Sequence, residues 1–175
     1  MIPPAATNDP EQSVLSEKIN YLPRLPIWIA TWFGCGYFPY GPGTVGALAA
    51  VIIAGLLWRY AAHPQFVLLL LTVALFWPGV WASTRTARAF GKKDPGMVVV
   101  DEVLGQWVAL LGARHLSIGT LLAGFVLFRL FDIWKPPPVR QLEKIPEGLG
   151  IVVDDIAAGI YAALILYIGG SFNLY

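Results

Sequence analysis

Cysteine and charge are both scarce in this sequence. Its 175 residues include a single cysteine, Cys35, which excludes an intrachain disulfide and a zinc site made of several thiolates. Charged residues make up 13% of the chain, where an average soluble domain has about 25%. The formal net charge is +1, so the sequence lacks the strongly basic surface that holds nucleic-acid phosphates. We therefore expect no nucleic-acid partner.

Apolar residues are abundant, at 57% of the chain, and they fall into five long runs. A helix needs about 20 apolar residues to cross a bilayer. The second run and the last two approach that length, whereas the first and third are shorter. The hydropathy of these runs is also consistent with a very apolar soluble bundle, but the low share of charged residues favours helices embedded in a membrane. The runs cover residues 44–58, 66–83, 97–112, 116–134 and 151–169.

These runs predict an all-α fold, a membrane-embedded bundle of about four to five hydrophobic helices. The aromatic stretch 21–40 is interrupted by proline and glycine, which predicts a short amino-terminal helix at the membrane interface. Residues 1–20 are polar and too poor in apolar side chains to order themselves. We expect a disordered tail over 1–20 and one helical domain over 21–175.

Basic residues are distributed unevenly around the five runs. If all five cross, the amino-terminal segment and loops 84–96 and 135–150 share one side, and loops 59–65 and 113–115 share the other. The positive-inside bias then makes the first side cytoplasmic. The first side holds Lys18, Arg24, Arg85, Arg88, Lys92, Lys93, Lys135, Arg140 and Lys144, and the second holds only Arg59 and Arg114.

Acidic residues mark the cytoplasmic ends of the predicted helices. An ionisable group in an apolar helix costs about 2.5–3.5 kcal/mol on insertion scales, so such groups usually face a cavity and have partners. The glycine-rich stretch 41–44 begins the first run on the same side. We expect these segments to meet in one site. Its acids are Asp101 and Glu102 at the start of the third run, Asp132 at the end of the fourth, and Asp154 and Asp155 at the start of the fifth.

Five carboxylates at the same depth in the membrane repel one another unless cations lie between them. Oxygen ligands of this kind suit Mg²⁺, which takes one or two carboxylates, waters and a substrate phosphate oxygen. The alternative is structural: Asp132, Asp154 and Asp155 could pair with nearby basic side chains only to hold helices together. Metal ligation is the interpretation that we favour.

The neighbouring cations indicate an anionic substrate. Arg129, Lys135 and Arg140 cannot bind a metal, but they suit a phosphate monoester beside one. Gly43 and Thr44, at a predicted helix start, could add backbone amides and a hydroxyl to the phosphate site. Thr44 could instead be an ordinary helix cap. Residues 41–46 match a nucleotide-binding glycine pattern literally, but without a preceding strand or a phosphate-loop lysine the match is weak.

Histidine chemistry is disfavoured by the same topology. His63 and His115 are the only histidines, and both fall on the side opposite the acids. Neither is placed to act as a base or a phosphorylated intermediate at the acidic site.

Four motifs in order resemble the phosphatidylglycerophosphatase A family over residues 28–167. They lie at residues 34–46, 101–107, 128–140 and 150–159, where the sequence reads GCGYFPYGPGTVG, DEVLGQW, FRLFDIWKPPPVR and GIVVDDIAAG. Ala47 stands where the family is expected to have serine. The polar tail over 1–20 matches nothing in the family.

The resemblance implies an Mg²⁺-dependent lipid phosphatase that converts phosphatidylglycerophosphate to phosphatidylglycerol in phospholipid biosynthesis. It also implies a bacterial cytoplasmic membrane, with the site facing the cytoplasm. By motif match, the metal or catalytic acids would be Asp101, Glu102, Asp154 and Asp155, and the phosphate pocket would be lined by Arg129, Asp132, Lys135 and Arg140.

Two alternative functions, from other classes of membrane protein, stay open at this point. A small cation transporter could use the acids as a path, although no charge marks the middle of the bilayer, where a relay would need one. A structural membrane subunit could use them only as ion pairs between helices. A CDP-alcohol phosphotransferase is disfavoured because the D-G-x-x-A-R signature is absent from the sequence.

Overall fold

The computed structural model describes residues 24–173, and all regular secondary structure in that range is helical. The predicted all-α class is therefore confirmed. The predicted tail over 1–20 lies outside the described residues. In chain order the elements are α1 (Arg24–Ala30), a short 3-10 helix (Cys35–Tyr37), α2 (Pro42–Tyr60), α3 (Pro64–Phe90), α4 (Val100–Leu111), α5 (Ile118–Trp134), α6 (Val139–Leu142) and α7 (Glu147–Ser171).

The five predicted runs correspond to α2, α3, α4, α5 and α7. Three of these, α2, α3 and α7, are long and apolar enough to cross a membrane. At 12 residues, α4 is about 18 Å long, well short of a hydrocarbon core of about 30 Å. The helix α1 falls within the stretch where a short interfacial helix was expected, and its position at an interface stays a prediction.

The largest boundary difference is at the end of α3. The apolar run predicted a loop from residue 84, but the helix continues to Phe90 and ends on Gly91, whose φ of 61° is left-handed. Arg85 and Arg88 therefore lie on the last turns of α3 and not in a loop. Two arginines and two alanines, which have good helix propensity, extend the helix beyond its apolar section.

Local sequence signals explain several other helix ends. Pro42 is the first residue of α2, and the cap is Gly41 in a left-handed conformation, with no side-chain cap. Thr44 is therefore not the cap. Ser117 and Thr120 form a capping box at the start of α5. At its other end α5 stops on Lys135, with φ 48°, directly before the proline run.

The helix α4 occupies the centre of the bundle. Nine of its twelve residues are buried, and it contacts α2, α3, α5 and α7. Its most extensive packing is with α7, where a Cβ atom on Gly105 would lie 2.6 Å from the Asp155 carbonyl oxygen. The indole Nε1 of Trp107 donates to the Ala50 carbonyl of α2, at 3.1 Å. This packing fixes α4 against the start of α7.

Candidate metal and phosphate site

The acidic segments meet at one end of the bundle. This end contains the first turns of α2 and α4, the first half of α7 and the last turn of α5. Arg88, near the end of α3, pairs with Glu147 at the start of α7 on the surface of the same end. At the opposite end, Arg114 Nη1 donates to the Gly170 carbonyl of α7, at 3.2 Å. The up-and-down path of the helices therefore places the acids together, as the topology predicted.

Three carboxylates form the centre of the site. Asp101, Glu102 and Asp155 each offer one oxygen, and these oxygens lie within 4.8 Å of one another. Asp101 and Asp155 are 6% and 4% exposed, and Glu102 is half-buried. Asp101 Oδ1, Glu102 Oε2 and Asp155 Oδ2 are buried and accept no hydrogen bond from any described residue.

This acid triad (Asp101, Glu102 and Asp155) fits a divalent cation. A buried charge is costly unless it is neutralised by a proton, paired with an opposite charge or bound to a metal, and three ionised carboxylates facing one another repel. Their unpartnered oxygens are hard ligands of the type that Mg²⁺ prefers. The residues present are therefore suited to the metal that the sequence pattern indicated.

Lys135 contacts two further acids of the site, Asp154 and Glu143. Its Nζ lies 2.7 Å from Asp154 Oδ2 and 3.5 Å from Glu143 Oε2. Burial, the largest single influence, lowers the pKa of Lys135, but the hydrogen bond to Asp154 and the negative charges of Asp154, Glu143 and Asp155 together outweigh it and raise that pKa above its usual value. Lys135 therefore stays charged throughout the physiological range.

Arg129 and Asp132 form a second ion pair on α5, with Arg129 Nη1 2.5 Å from Asp132 Oδ2. Their spacing of three residues puts them on one face of the helix. Arg129 keeps its buried Nε without a partner among the described residues. The structural ion-pair interpretation thus describes Asp132 and Asp154, but it does not describe the acid triad, whose members form no salt bridge with the described basic residues.

The glycine-rich stretch approaches the site through Gly43, which is buried. A Cβ atom at this position would overlap Glu102 Oε1 and lie 3.3 Å from Arg129 Nη1. Two other residues expected in the phosphate pocket are exposed and do not line the acidic cavity. Thr44 is exposed, and Arg140 is exposed on α6, where it forms no ion pair or hydrogen bond with a described residue.

Three further charged residues line the acidic cavity, although the sequence did not indicate them as site residues. They are Lys93 and Asp94, between α3 and α4, and Glu143, directly after α6. The predicted topology placed both loops on the same side as the acids, so their position was available. The sequence could not identify them as site residues, because it does not show how far a charged loop residue lies from each helix end.

The two histidines lie at the other end of the bundle, as expected. His63 and His115 line a separate cavity together with Trp58 and Phe66. None of these residues lines the acidic cavity.

Comparison with known proteins identifies the family. The family model described as phosphatidylglycerophosphatase A matches residues 28–169. Phosphatidylglycerophosphatase A of Escherichia coli is 36% identical over 143 residues, covering 81% of this chain and 81% of that protein. The protein of the same name from Haemophilus influenzae is 37% identical over 152 residues, covering 86% and 91%.

A third relative carries a different name. It comes from Bacteroides thetaiotaomicron, is provisionally named a phosphatidylinositol-3-phosphatase, and is 38% identical over 154 residues, covering 81% of this chain and 91% of that protein. No solved structure matches this chain significantly. The family match spans the acid triad, both ion pairs and Gly43, and on that basis the chain belongs to the phosphatidylglycerophosphatase A family.

Proposed function

We propose that this protein is a membrane phosphatase that hydrolyses the phosphate monoester of phosphatidylglycerophosphate, giving phosphatidylglycerol and phosphate, and that it requires Mg²⁺. Family membership supports the reaction class and the lipid. The observation that carries the metal requirement is the acid triad, whose three buried oxygens converge without a partner among the described residues.

The acid triad would hold the metal. Asp154 was also expected to be a ligand, but its Oδ2 is bound to Lys135, so we assign it to the orientation of that lysine. When bound, Mg²⁺ polarises a phosphoryl oxygen and lowers the pKa of water. The number of acids suits one metal with several open positions for water and substrate.

The basic side chains would bind and orient the phosphate. Lys135 offers a permanent ammonium, and Arg129 offers a guanidinium whose buried Nε is free to donate. Asp154 and Asp132 fix the direction of these two cations, so that they need little reorganisation when charge builds up on the phosphoryl oxygens. We expect Arg140 to contribute only to attraction of the anionic headgroup, because it is exposed.

The membrane supplies the lipid to the site. The helices α2, α3 and α7 are long and apolar enough to cross a bilayer, and the acidic cavity lies at one end of the bundle that they form. A phosphorylated headgroup at that surface reaches the cavity while the acyl chains stay in the bilayer. We place this end on the cytoplasmic side of a bacterial cytoplasmic membrane, where the basic residues are concentrated.

Phosphate release from defined lipids tests this proposal. We expect the purified protein in detergent micelles to release phosphate from phosphatidylglycerophosphate with Mg²⁺ and to release none with EDTA. Asp155→Asn should reduce release by about 100-fold, because it removes one triad carboxylate. Phosphatidylinositol 3-phosphate belongs in the same assay, since a relative 38% identical carries that name.

Glu147→Gln is the matched control. It is also an acid-to-amide change on α7, but Glu147 is exposed, lies outside the acidic cavity, and among residues 24–173 forms an ion pair with Arg88 alone. We expect near wild-type release from this variant. If folded wild-type protein with Mg²⁺ releases phosphate from neither lipid, the proposed activity is wrong and the cation-transporter interpretation gains weight. If Asp155→Asn is folded and fully active, the triad is structural.

A further inference from the structure

Gly43 lies directly against a carboxylate of the acid triad. A Cβ atom built on this glycine would overlap Glu102 Oε1 and lie 2.9 Å from Glu102 Cδ, a separation that real Cβ atoms essentially never show. The atoms in the way belong to the end of a flexible side chain and not to a helix backbone. The space that a side chain at position 43 would need is therefore filled by the Glu102 carboxylate.

Backbone conformation does not explain the glycine at this position. Gly41, two residues earlier, has φ 61° and caps α2, but Gly43 is not among the described residues with positive φ. Any residue could adopt its helical backbone. The requirement for glycine at 43 is thus one of space beside Glu102.

The start of α2 also suits a carboxylate. The first amide groups of a helix have no partner within the helix and carry partial positive charge. Glu102 occupies the position beside this turn, with Arg129 Nη1 on the same side. A phosphate bound at Gly43 itself would compete with Glu102 for this space.

We propose that Gly43 is a positioning residue, whose missing side chain holds the Glu102 carboxylate in the acid triad and thereby sets the affinity for the divalent cation. This rests on the proposed function, because it takes Glu102 as a metal ligand. It assigns Gly43 a different role from direct phosphate binding. Replacement by alanine should displace one ligand while leaving the helices in place.

Binding of Mn²⁺ to the purified protein, followed by electron paramagnetic resonance, tests the proposal without substrate. We expect Gly43→Ala to weaken Mn²⁺ binding by about tenfold or more. Gly55→Ala is the matched control on the same helix, since its Cβ atom would meet only Leu121 Cδ1, at an ordinary 3.5 Å. Its Mn²⁺ affinity should equal that of wild type. Equal affinity in Gly43→Ala would overturn the proposal.

A thermal-denaturation cycle covers the case in which Gly43→Ala folds poorly. In the presence of Mn²⁺ the alanine should lower the melting temperature when Glu102 is present, because it displaces a metal ligand, and should have a smaller effect in a Glu102→Ala background, where only the 3.3 Å contact with Arg129 Nη1 remains. A similar loss in both backgrounds would mean that the alanine meets something else, and the proposal would be wrong.

These measurements separate the two proposals. Metal binding and melting involve no lipid, so Gly43 can be shown to position Glu102 even if the protein releases no phosphate from phosphatidylglycerophosphate. Conversely, an active phosphatase whose Mn²⁺ affinity ignores Gly43→Ala would keep the proposed function and refute the positioning role.

Discussion

Lys135 links three of the chain segments that form the site. It lies at the left-handed end of α5, and its ammonium reaches Asp154 on α7 and Glu143 after α6. The side chain of Asp154 is 5% exposed, so it would be costly to leave without a partner. One lysine therefore joins three chain segments and supplies a cation beside the acid triad.

Lys135→Met tests this at the residue scale. Methionine keeps much of the length of the side chain but removes the charge, leaving Asp154 buried without its partner. We expect stability to fall by about 1–3 kcal/mol in chemical denaturation, and phosphate release to fall by at least tenfold.

Lys144→Met is the matched control, because Lys144 is exposed nearby and forms no ion pair with a described residue. Adding Asp154→Asn to Lys135→Met should recover stability without recovering activity, since the double variant has no buried unpaired charge but still lacks the cation. Full activity in Lys135→Met would exclude Lys135 from the phosphate site.

At the scale of elements, the crossing of α4 and α7 brings the acids together. Gly105 and Gly159 are spaced four residues from Ala109 and Ala163 respectively, a small-residue pattern that lets helices approach closely. A Cβ atom on Gly159 would overlap the Gly105 carbonyl oxygen. Since Asp101 and Asp155 lie on these two helices, any increase in their separation widens the triad.

We expect Gly159→Ala to reduce both stability and metal binding. Overpacking at a backbone contact should cost about 1–3 kcal/mol, because neither helix can move away without disturbing the core. Denaturant unfolding and Mn²⁺ titration measure the two effects. Gly119→Ala, whose Cβ atom would meet only Ser117 Oγ at 3.7 Å, is the control and should change neither. A stable Gly159→Ala variant with unchanged metal affinity would contradict this role for the crossing.

At the scale of the whole molecule, the two ends of the bundle differ in chemistry. One end carries the acidic cavity and most of the basic residues, and the other carries the two histidines beside Trp58 and Phe66. Such asymmetry is what orients a helical protein in a membrane.

Cysteine labelling of bacterial spheroplasts tests the orientation. With Cys35 replaced by serine, Ala62→Cys at the histidine end should react with a membrane-impermeant maleimide, and Lys92→Cys at the acidic end should react only after lysis. Both positions are exposed, so access to the reagent is limited by the membrane alone. The reverse pattern would place the acidic cavity outside the cytoplasm.

Much of the fold followed from the sequence alone. Apolar runs, prolines and glycines act locally, so they predicted five hydrophobic helices and the end of α5 before Pro136. The alternating direction of successive helices then predicted that all five acids lie near one end of the bundle. The prediction of a loop over residues 84–96 was wrong in its first part, because the end of an apolar run is not the end of a helix. Arg85 and Arg88 continue α3 on propensity and capping, which hydropathy does not measure.

Only the tertiary structure decided which charges pair. The sequence offered Asp132, Asp154 and Asp155 alike to the nearby cations, and the family resemblance grouped Asp154 with Asp101, Glu102 and Asp155 as metal or catalytic acids. Which of these acids pair with cations depends on how each helix is rotated and how closely α4 packs on α7, which are properties of the whole bundle. The same packing brought Asp94 and Glu143 into the cavity and placed Gly43 against Glu102. Local patterns set where each charge lies along its helix, and the packing of helices sets what it meets.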